Sequence, residues 1–251
     1  MKILTSKLTT ILVIFFLLII IPKSIAKQAD GITIRYFGHS AFMITTSSGM
    51  RIITDPVQCK GYEMPAGYTA EVVTISHEHI DHNNITSIST DFVALRGCYF
   101  GNQRIVDIDT TINDVRIYNV ASFHDPGHHG FNSIFVFEFD GIRVAHLGDL
   151  GTVLSEEQVE AMGIIDILFL PVGGQFTISG KEADTVVSQL CQSGIIIPMH
   201  FKTEAFNSLP YSAEDYLQGK GNVIRTRGTK IELPLKSVRR ETVHYLMKYE
   251  N

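Results

Sequence analysis

The sequence predicts an α/β fold in which two β-sheets pack face to face and helices flank them, within one large domain that follows a short leader. Three observations carry this. Strand patterns fill the first half of the chain and helix–strand alternation fills the second. Residues able to bind metal stand at the ends of predicted strands. The chain of 251 residues is 45% apolar, enough for one sizeable core, and no linker, repeat or low-complexity tract divides it after the leader.

The leader comes first. Lys2 and Lys7 precede the apolar run Ile11 to Ile21, and Ser24-Ile25-Ala26 supplies small residues for cleavage. Residues 1–26 thus predict a secretory signal peptide, and residues 27–251 an exported domain, periplasmic or secreted. An uncleaved membrane anchor is the alternative. No cysteine follows closely for a lipid anchor, and no Arg-Arg pair precedes the apolar run. Cleavage removes Lys2, Lys7 and Lys23 and no acid, so a formal charge of −5 becomes −8. An acidic protein gains nothing from phosphate-backbone attraction, so the expected partner is a small-molecule substrate and not nucleic acid. No stable membrane insertion is expected after cleavage, and the oligomeric state is not legible. Cys59, Cys98 and Cys191 allow at most one disulfide; Cys59 with Cys98 is open, and Cys191 falls on a helix's apolar face.

In the first half, Ile32, Ile34 and Tyr36 alternate with polar neighbours as a half-buried strand does. Gly38-His39-Ser40 turns it, Ala41 to Thr45 runs back, and Arg51 to Thr54 completes a meander that Asp55-Pro56 ends. Residues 59–69 predict a loop that could overhang a site. Val72 to Ile75 is an apolar strand, Ile85 to Ser89 a short helix, and Phe92 to Leu95 another strand. Thr111 to Ser122 holds one or two more. Ser133 to Phe139 and Ile142 to His146 flank Asp140-Gly141, a strong hairpin signal.

In the second half, Ser155 with Gln158 and Ser179 with Glu182 form capping boxes that open two helices, which Gly163 and Gly194 can close. Ala183, Val186, Val187, Leu190 and Cys191 share one face of the second helix. Ile167 to Val172 and Ile195 to Met199 are continuous apolar runs, as buried strands are. Ser212 to Leu217 predicts a third helix, and Ile231 to Leu233 and Val243 to Met247 predict edge strands.

The chemistry concentrates in Ser76-His77-Glu78-His79-Ile80-Asp81-His82, directly after Val72 to Ile75. In extended backbone His77 and His79 point the same way and can hold one cation. A turn then lets Asp81 and His82 reach a second. Imidazole nitrogen and carboxylate oxygen suit zinc, manganese or iron. Two adjacent cations would supply hydroxide near neutrality and polarise a carbonyl or phosphoryl oxygen, so hydrolysis is the expected reaction.

This run, with Tyr36-Phe37-Gly38-His39-Ser40, Thr54-Asp55-Pro56, Ser122-Phe123-His124-Asp125, His146-Leu147-Gly148-Asp149 and Pro198-Met199-His200, resembles the metallo-β-lactamase superfamily over nearly the whole chain after the leader. It is most similar to the branch that includes L-ascorbate-6-phosphate lactonase and N-acyl-phosphatidylethanolamine phospholipase D. The resemblance implies αββα layering. It implies that His77, His79 and His124 hold one metal, that Asp81, His82 and His200 hold another, and that Asp149 bridges them. Two divalent ions follow, zinc first because export loads metal outside the cytoplasm, with manganese or iron as alternatives. The expected activity is hydrolysis of a small ester, lactone or phosphodiester by a metal-bridging hydroxide that Asp81 and Asp149 orient. An iron oxidoreductase on the same scaffold and a non-catalytic metal-binding protein are the alternatives. Flavodiiron proteins, however, resemble H-x-E-x-D-H, whereas here His79 stands second and Glu78 precedes it.

Around this set, His128, with His129, is a candidate proton donor to the leaving group, or a solvent-exposed loop histidine. Asp55 supports a ligand histidine or merely makes an Asp-Pro turn. His39 and His146 support ligands or contact substrate. Lys202 binds an anionic substrate or is simply exposed. Gly173-Gly174 admits backbone amides to substrate or only turns the chain, and His244 is structural or exposed.

Overall fold

The computed structural model describes residues 30–99 and 101–250; the expected signal peptide, residues 1–26, lies outside them. The alternation of apolar residues sets the first sheet. Strand β1 (Gly31–Gly38) buries Ile32, Ile34 and Tyr36 on one side. It pairs antiparallel with β2 (Ala41–Thr45), and β2 with β3 (Arg51–Thr54). Parallel strands β4 (Val72–Ile75) and β5 (Val93–Arg96) extend it.

The second sheet begins with the antiparallel strands β6 (Asp109–Ile112), β7 (Val115–Phe123), β8 (Phe131–Phe139) and β9 (Ile142–His146). Asp140 and Gly141 turn the β8–β9 hairpin at φ 51° and 73°, the left-handed pair that a two-residue hairpin requires. The fully buried β10 (Ile167–Pro171) and β11 (Ile195–Met199) then join in parallel. With β12 (Val223–Arg225), β13 (Lys230–Pro234) and β14 (Val243–Leu246), the sheets are complete. The six-stranded order is β13-β1-β2-β3-β4-β5, and the eight-stranded order is β6-β7-β8-β9-β10-β11-β14-β12. The expected edge strand at Val243 is therefore interior, because the unforeseen β12 pairs outside it.

Helix α1 (Glu156–Met162) opens on Ser155, whose Oγ accepts from Gln158 N–H while Gln158 Oε1 accepts from Ser155 N–H. Helix α2 (Gly180–Leu190) is held at its start by Glu182, which accepts from both the amide and the hydroxyl of Ser179. It stops at Cys191, short of Gly194, whose bare Cα instead lets the chain pass the Asp166 carbonyl. Helix α3 (Ala213–Leu217) starts at Ser212.

The sheets meet through Ile34, Tyr36, Phe42 and Ile52 on one side and Phe135, Phe137, Val144 and Phe169 on the other. Phe42 and Phe169 meet across the interface with ring centroids 4.3 Å apart, tilted at 40°. Each such buried side chain contributes about 1.5–3 kcal/mol. Met162, Ala183, Val186, Leu190 and Tyr216 bring all three α-helices into this same core. The outer face of the six-stranded sheet, Phe37, Ala41, Ile53, Val73 and Ile75, is covered differently. Val57, Tyr62, Met64, Ala70 and Ile88 cover it, from the loop that holds the small ribbon Gln58–Cys59 with Tyr62–Glu63 and from the end of the 3₁₀ turn Ile85–Ser87. The sandwich is thus α/β as expected, but among the described residues its α-helical layer lies on one side. Strands β1, β3, β4, β7, β9 and β11 all finish at one end of the sandwich, and the candidate residues collect there. Among the described residues, no helix is long and apolar enough to cross a membrane.

Candidate metal centre

The end of β4 is tied to the end of β3 before any histidine appears. Asp55, at φ 39°, accepts from Ser76 N–H at 2.7 Å, from Ser76 Oγ at 2.6 Å and from His82 Nδ1 at 2.9 Å. This fully buried carboxylate orients both the loop and the His82 ring, which turns Nε2 inward. His39 at φ 54° and His200 at φ 47° also hold left-handed backbone, and the His200 amide donates to the His39 carbonyl at 2.9 Å. Non-glycine residues resist this conformation at about 1–3 kcal/mol each, so its clustering marks a site where geometry is imposed.

Two donor groups result, besides a third, Asp55 with His77 and His82, whose carboxylate is already taken by Ser76 and His82. The ligand atoms of His77, His79 and His124 lie within 4.8 Å of one another, as do those of His39, Asp81, His82 and His200. Asp149 stands between them. Its Oδ2 is 3.4 Å from His124 Nε2, 3.8 Å from His77 Nε2, 3.4 Å from His82 Nε2 and 3.2 Å from His200 Nε2. Asp149 Oδ1, His82 Nε2 and His124 Nε2 are buried, and among the described residues they have no hydrogen-bond partner. Buried polar atoms without partners cost free energy unless something else binds them. Convergent nitrogen and oxygen donors of this kind fit a zinc-, manganese- or iron-class cation.

The electrostatics agree. Burial pushes His77, His79 and His39 down, His39 to about 4, which keeps their rings neutral and able to coordinate. Burial also opposes charge on His82 and His124, but neighbouring carboxylates, Asp149 foremost, with Asp55 and Asp81 at His82 and Asp125 at His124, hold both above the usual imidazole range. Burial would raise Asp149, yet His200 and His82 keep it ionised. The cluster therefore attracts positive charge, and protons and metal compete for the same atoms. Metal bound to His82 and His124 must displace their protons, so its apparent affinity should fall as pH falls. Metal content after dialysis at pH 5 should be well below that at pH 8; equal content would show that these imidazoles are not ligands.

The other expected residues divide. His39 Nε2 meets Asp81 Oδ2 at 3.0 Å and holds that carboxylate in place. His146 is buried and grips the Ser40 carbonyl at 2.8 Å, which pins the β1–β2 turn and keeps it away from substrate. Lys202 is exposed, with its backbone bridged to Ser212. His128 is not brought to the donors: it is exposed and stacks on Phe123 at 4.0 Å. Its neighbour His129 is exposed as well, but it lines the pocket beside His79 and His124, and its Nδ1 meets Asp125 Oδ1 at 2.9 Å. His128→Ala should accordingly leave metal content and turnover near wild type, and a selective loss on poor leaving groups would restore it as the acid. Gly173 lets the chain pass the His200 carbonyl, where a Cβ would collide. His244 is buried against Tyr216, and all three cysteines are unpaired.

Three supports were not anticipated. Asn132 accepts from Asp149 N–H at 2.9 Å and donates to the Leu147 carbonyl at 2.9 Å, which fixes the backbone that carries Asp149. Gly148, beside it at φ 53°, leaves no room for a Cβ against Asn132 and Ser76. Asn102 accepts from Glu78 N–H at 2.6 Å. A lone amide inside the apolar run Phe131–Phe139 was a visible signal for Asn132; nothing local marked Asn102.

A model of the β-lactamase superfamily domain matches residues 33–200. The crystal structure of a Thermotoga maritima protein, described as a candidate zinc-dependent hydrolase of the metallo-β-lactamase superfamily, is 36% identical with a TM-score of 0.72. It covers 87% of this chain and all of its own. This chain belongs to the metallo-β-lactamase superfamily. A UPF0173 metal-dependent hydrolase of Thermococcus onnurineus is 28% identical over 194 residues, 68% of this chain and 85% of its own. With these relatives, the metallo-β-lactamase fold here is that of a metal-dependent hydrolase. The fold by itself would not say so: a diiron β-hydroxylase from Streptomyces venezuelae shares it at 12% identity and a TM-score of 0.56, over 82% of this chain and 54% of its own.

Proposed function

We propose that this hydrolase is dinuclear, with His77, His79 and His124 holding one divalent ion, Asp81, His82 and His200 a second, and Asp149 shared between them. The observation that carries the reading is the single Asp149 oxygen set 3.2–3.8 Å from histidines of both groups. Two such ions would supply an acidified water as nucleophile and a positive charge to polarise the substrate's carbonyl or phosphoryl oxygen. The chain's own part is orientation. Asp149 Oδ1 offers a free acceptor to the water's proton. His39 keeps Asp81 ionised and aimed. Asp55 and Asn132 hold His82 and the Asp149 backbone rigid. The substrate is a small ester, lactone or phosphodiester, and zinc is the metal expected after export.

An iron oxidoreductase is disfavoured by Glu78. Both of its carboxylate oxygens lie 2.7 Å from Arg96 Nη1, so it is occupied away from the donors. The test compares metal-stripped and metal-reloaded protein on lactone, ester and phosphodiester substrates. Hydrolysis that returns with zinc or manganese supports the reading, and dioxygen consumption with iron alone overturns it. Export carries its own check: the mature N-terminus should lie near Lys27 by mass spectrometry.

A further inference from the structure

The open side of the His77, His79 and His124 group faces a pocket of about 540 Å³. Its walls come from three loops: Gly101 and Asn102, the turn Asp125 to Gly130, and Gln175 with Phe176. Among the described residues that line it there is no lysine or arginine; the fixed charge is the Asp125 carboxylate. The nearby guanidinium of Arg96 is committed to Glu78, and Lys202 is not among the lining residues. Phosphoryl-transfer sites characteristically clamp the phosphate oxygens with arginine or lysine beside the metals. Beyond the donors His79 and His124, the one imidazole among the described lining residues is His129, which is paired with Asp125 Oδ1 at 2.9 Å, and no guanidinium or ammonium lines this pocket.

It offers apolar surface instead. Phe176 is 44% exposed at the tip of a tight turn, where Gln175 holds φ 63° and Phe176 N–H donates to the Gly174 carbonyl at 2.8 Å. The turn is anchored across the pocket, because Asp125 N–H donates to the Phe176 carbonyl at 3.2 Å. An aromatic ring held open on a fixed turn beside metal donors is a wall for an apolar group. Ile80, the chain neighbour of His79, is 76% exposed.

We infer that the substrate is an uncharged carboxylic ester or lactone whose apolar substituent lies on Phe176 and Pro126, and that phosphodiesters are poor substrates. This rests on the hydrolase reading and narrows it. In the reaction, water adds to the carbonyl carbon, the bond from carbon to the leaving oxygen breaks, and the proton lost by water goes to that oxygen. The products are an acid and an alcohol, joined in one molecule when the substrate is a lactone. No other reactant is needed.

The experiment uses metal-loaded protein with p-nitrophenyl acetate, p-nitrophenyl hexanoate and bis(p-nitrophenyl) phosphate. Binding of hexananilide, an uncleaved amide analogue, is measured by titration calorimetry. Wild type should favour hexanoate over acetate by at least about tenfold in kcat/KM, the low end of the discrimination that one methylene confers in a closed apolar pocket. Phe176→Ala should remove that preference and weaken hexananilide binding about tenfold, with metal content and circular dichroism unchanged. Hexananilide binding that depends on Phe176 without any hydrolysis would overturn the hydrolase reading, and the ester assignment with it, while leaving the apolar wall in place. Ester hydrolysis indifferent to chain length and to Phe176, or a higher kcat/KM for the phosphodiester, would overturn the inference and leave the hydrolase standing.

Discussion

Asp149→Asn should lose metal from both groups and lower turnover by more than about 100-fold, while the fold survives. Replacing a residue that only supports a ligand already costs 10- to 100-fold in metal affinity or activity, and a shared ligand should cost more. The substitution keeps the side chain's size and removes its charge, and the backbone hydrogen bond to Asn132 does not depend on that charge. A second readout separates a ligand role from a structural one. In the metal-free protein the Asp149 carboxylate is the foremost influence raising His82 and His124 against burial. Their imidazole pKa values should therefore fall in the variant, as followed by NMR titration. A variant that keeps both metals and near-normal turnover would show that Asp149 is not shared.

Asp55→Ala should be the most destabilising change at the site. It leaves Ser76 N–H, Ser76 Oγ and His82 Nδ1 without their acceptor in a fully buried place. Each orphaned group costs about 1–3 kcal/mol, and Ser76 Oγ keeps its contact with His77 Nδ1, so a loss of at least about 2 kcal/mol is expected from thermal or denaturant unfolding. Metal affinity should fall with it, because His82 loses the partner that aims its ring. Asp55→Asn keeps an acceptor and should retain more of both. If Asp55→Ala unfolds like wild type, the tie between β3 and β4 does not organise the loop.

Much of this was legible in the sequence, for physical reasons. Period-two alternation at Ile32, Ile34 and Tyr36 reports a strand with one face in the core, and that is how β1 lies. Ser155 and Ser212 announce helices because their hydroxyls satisfy amides that helix starts leave free. The runs at Ile167 and Ile195 read as buried strands because both faces are covered. Strand order was not legible. Val223–Arg225 is short and largely exposed, with no alternation to find, so its pairing outside Val243–Leu246 was invisible. The thin outer layer over Phe37 and Ile53 was hidden as well, because irregular loops with scattered apolar residues carry no period.

The donor candidates His77, His79, Asp81 and His82 stood out by their spacing after a strand, and the family resemblance added His124, Asp149 and His200; the structure brings these side chains together. Their relations could not be read, since contacts such as His39 with Asp81 span 42 positions and depend on closure of the sandwich. Neighbouring residues were hardest to separate. His128 and His129 are equivalent on paper, and only the left-handed turn at His128, φ 57°, sends one ring onto Phe123 and the other to Asp125.

The central claim, two cations sharing Asp149, is tested most directly by metal titration of stripped protein, with bound metal and turnover measured on the same samples. Two equivalents per chain should bind, and full turnover should appear only as the second fills. Saturation at one equivalent with full turnover would contradict the shared site.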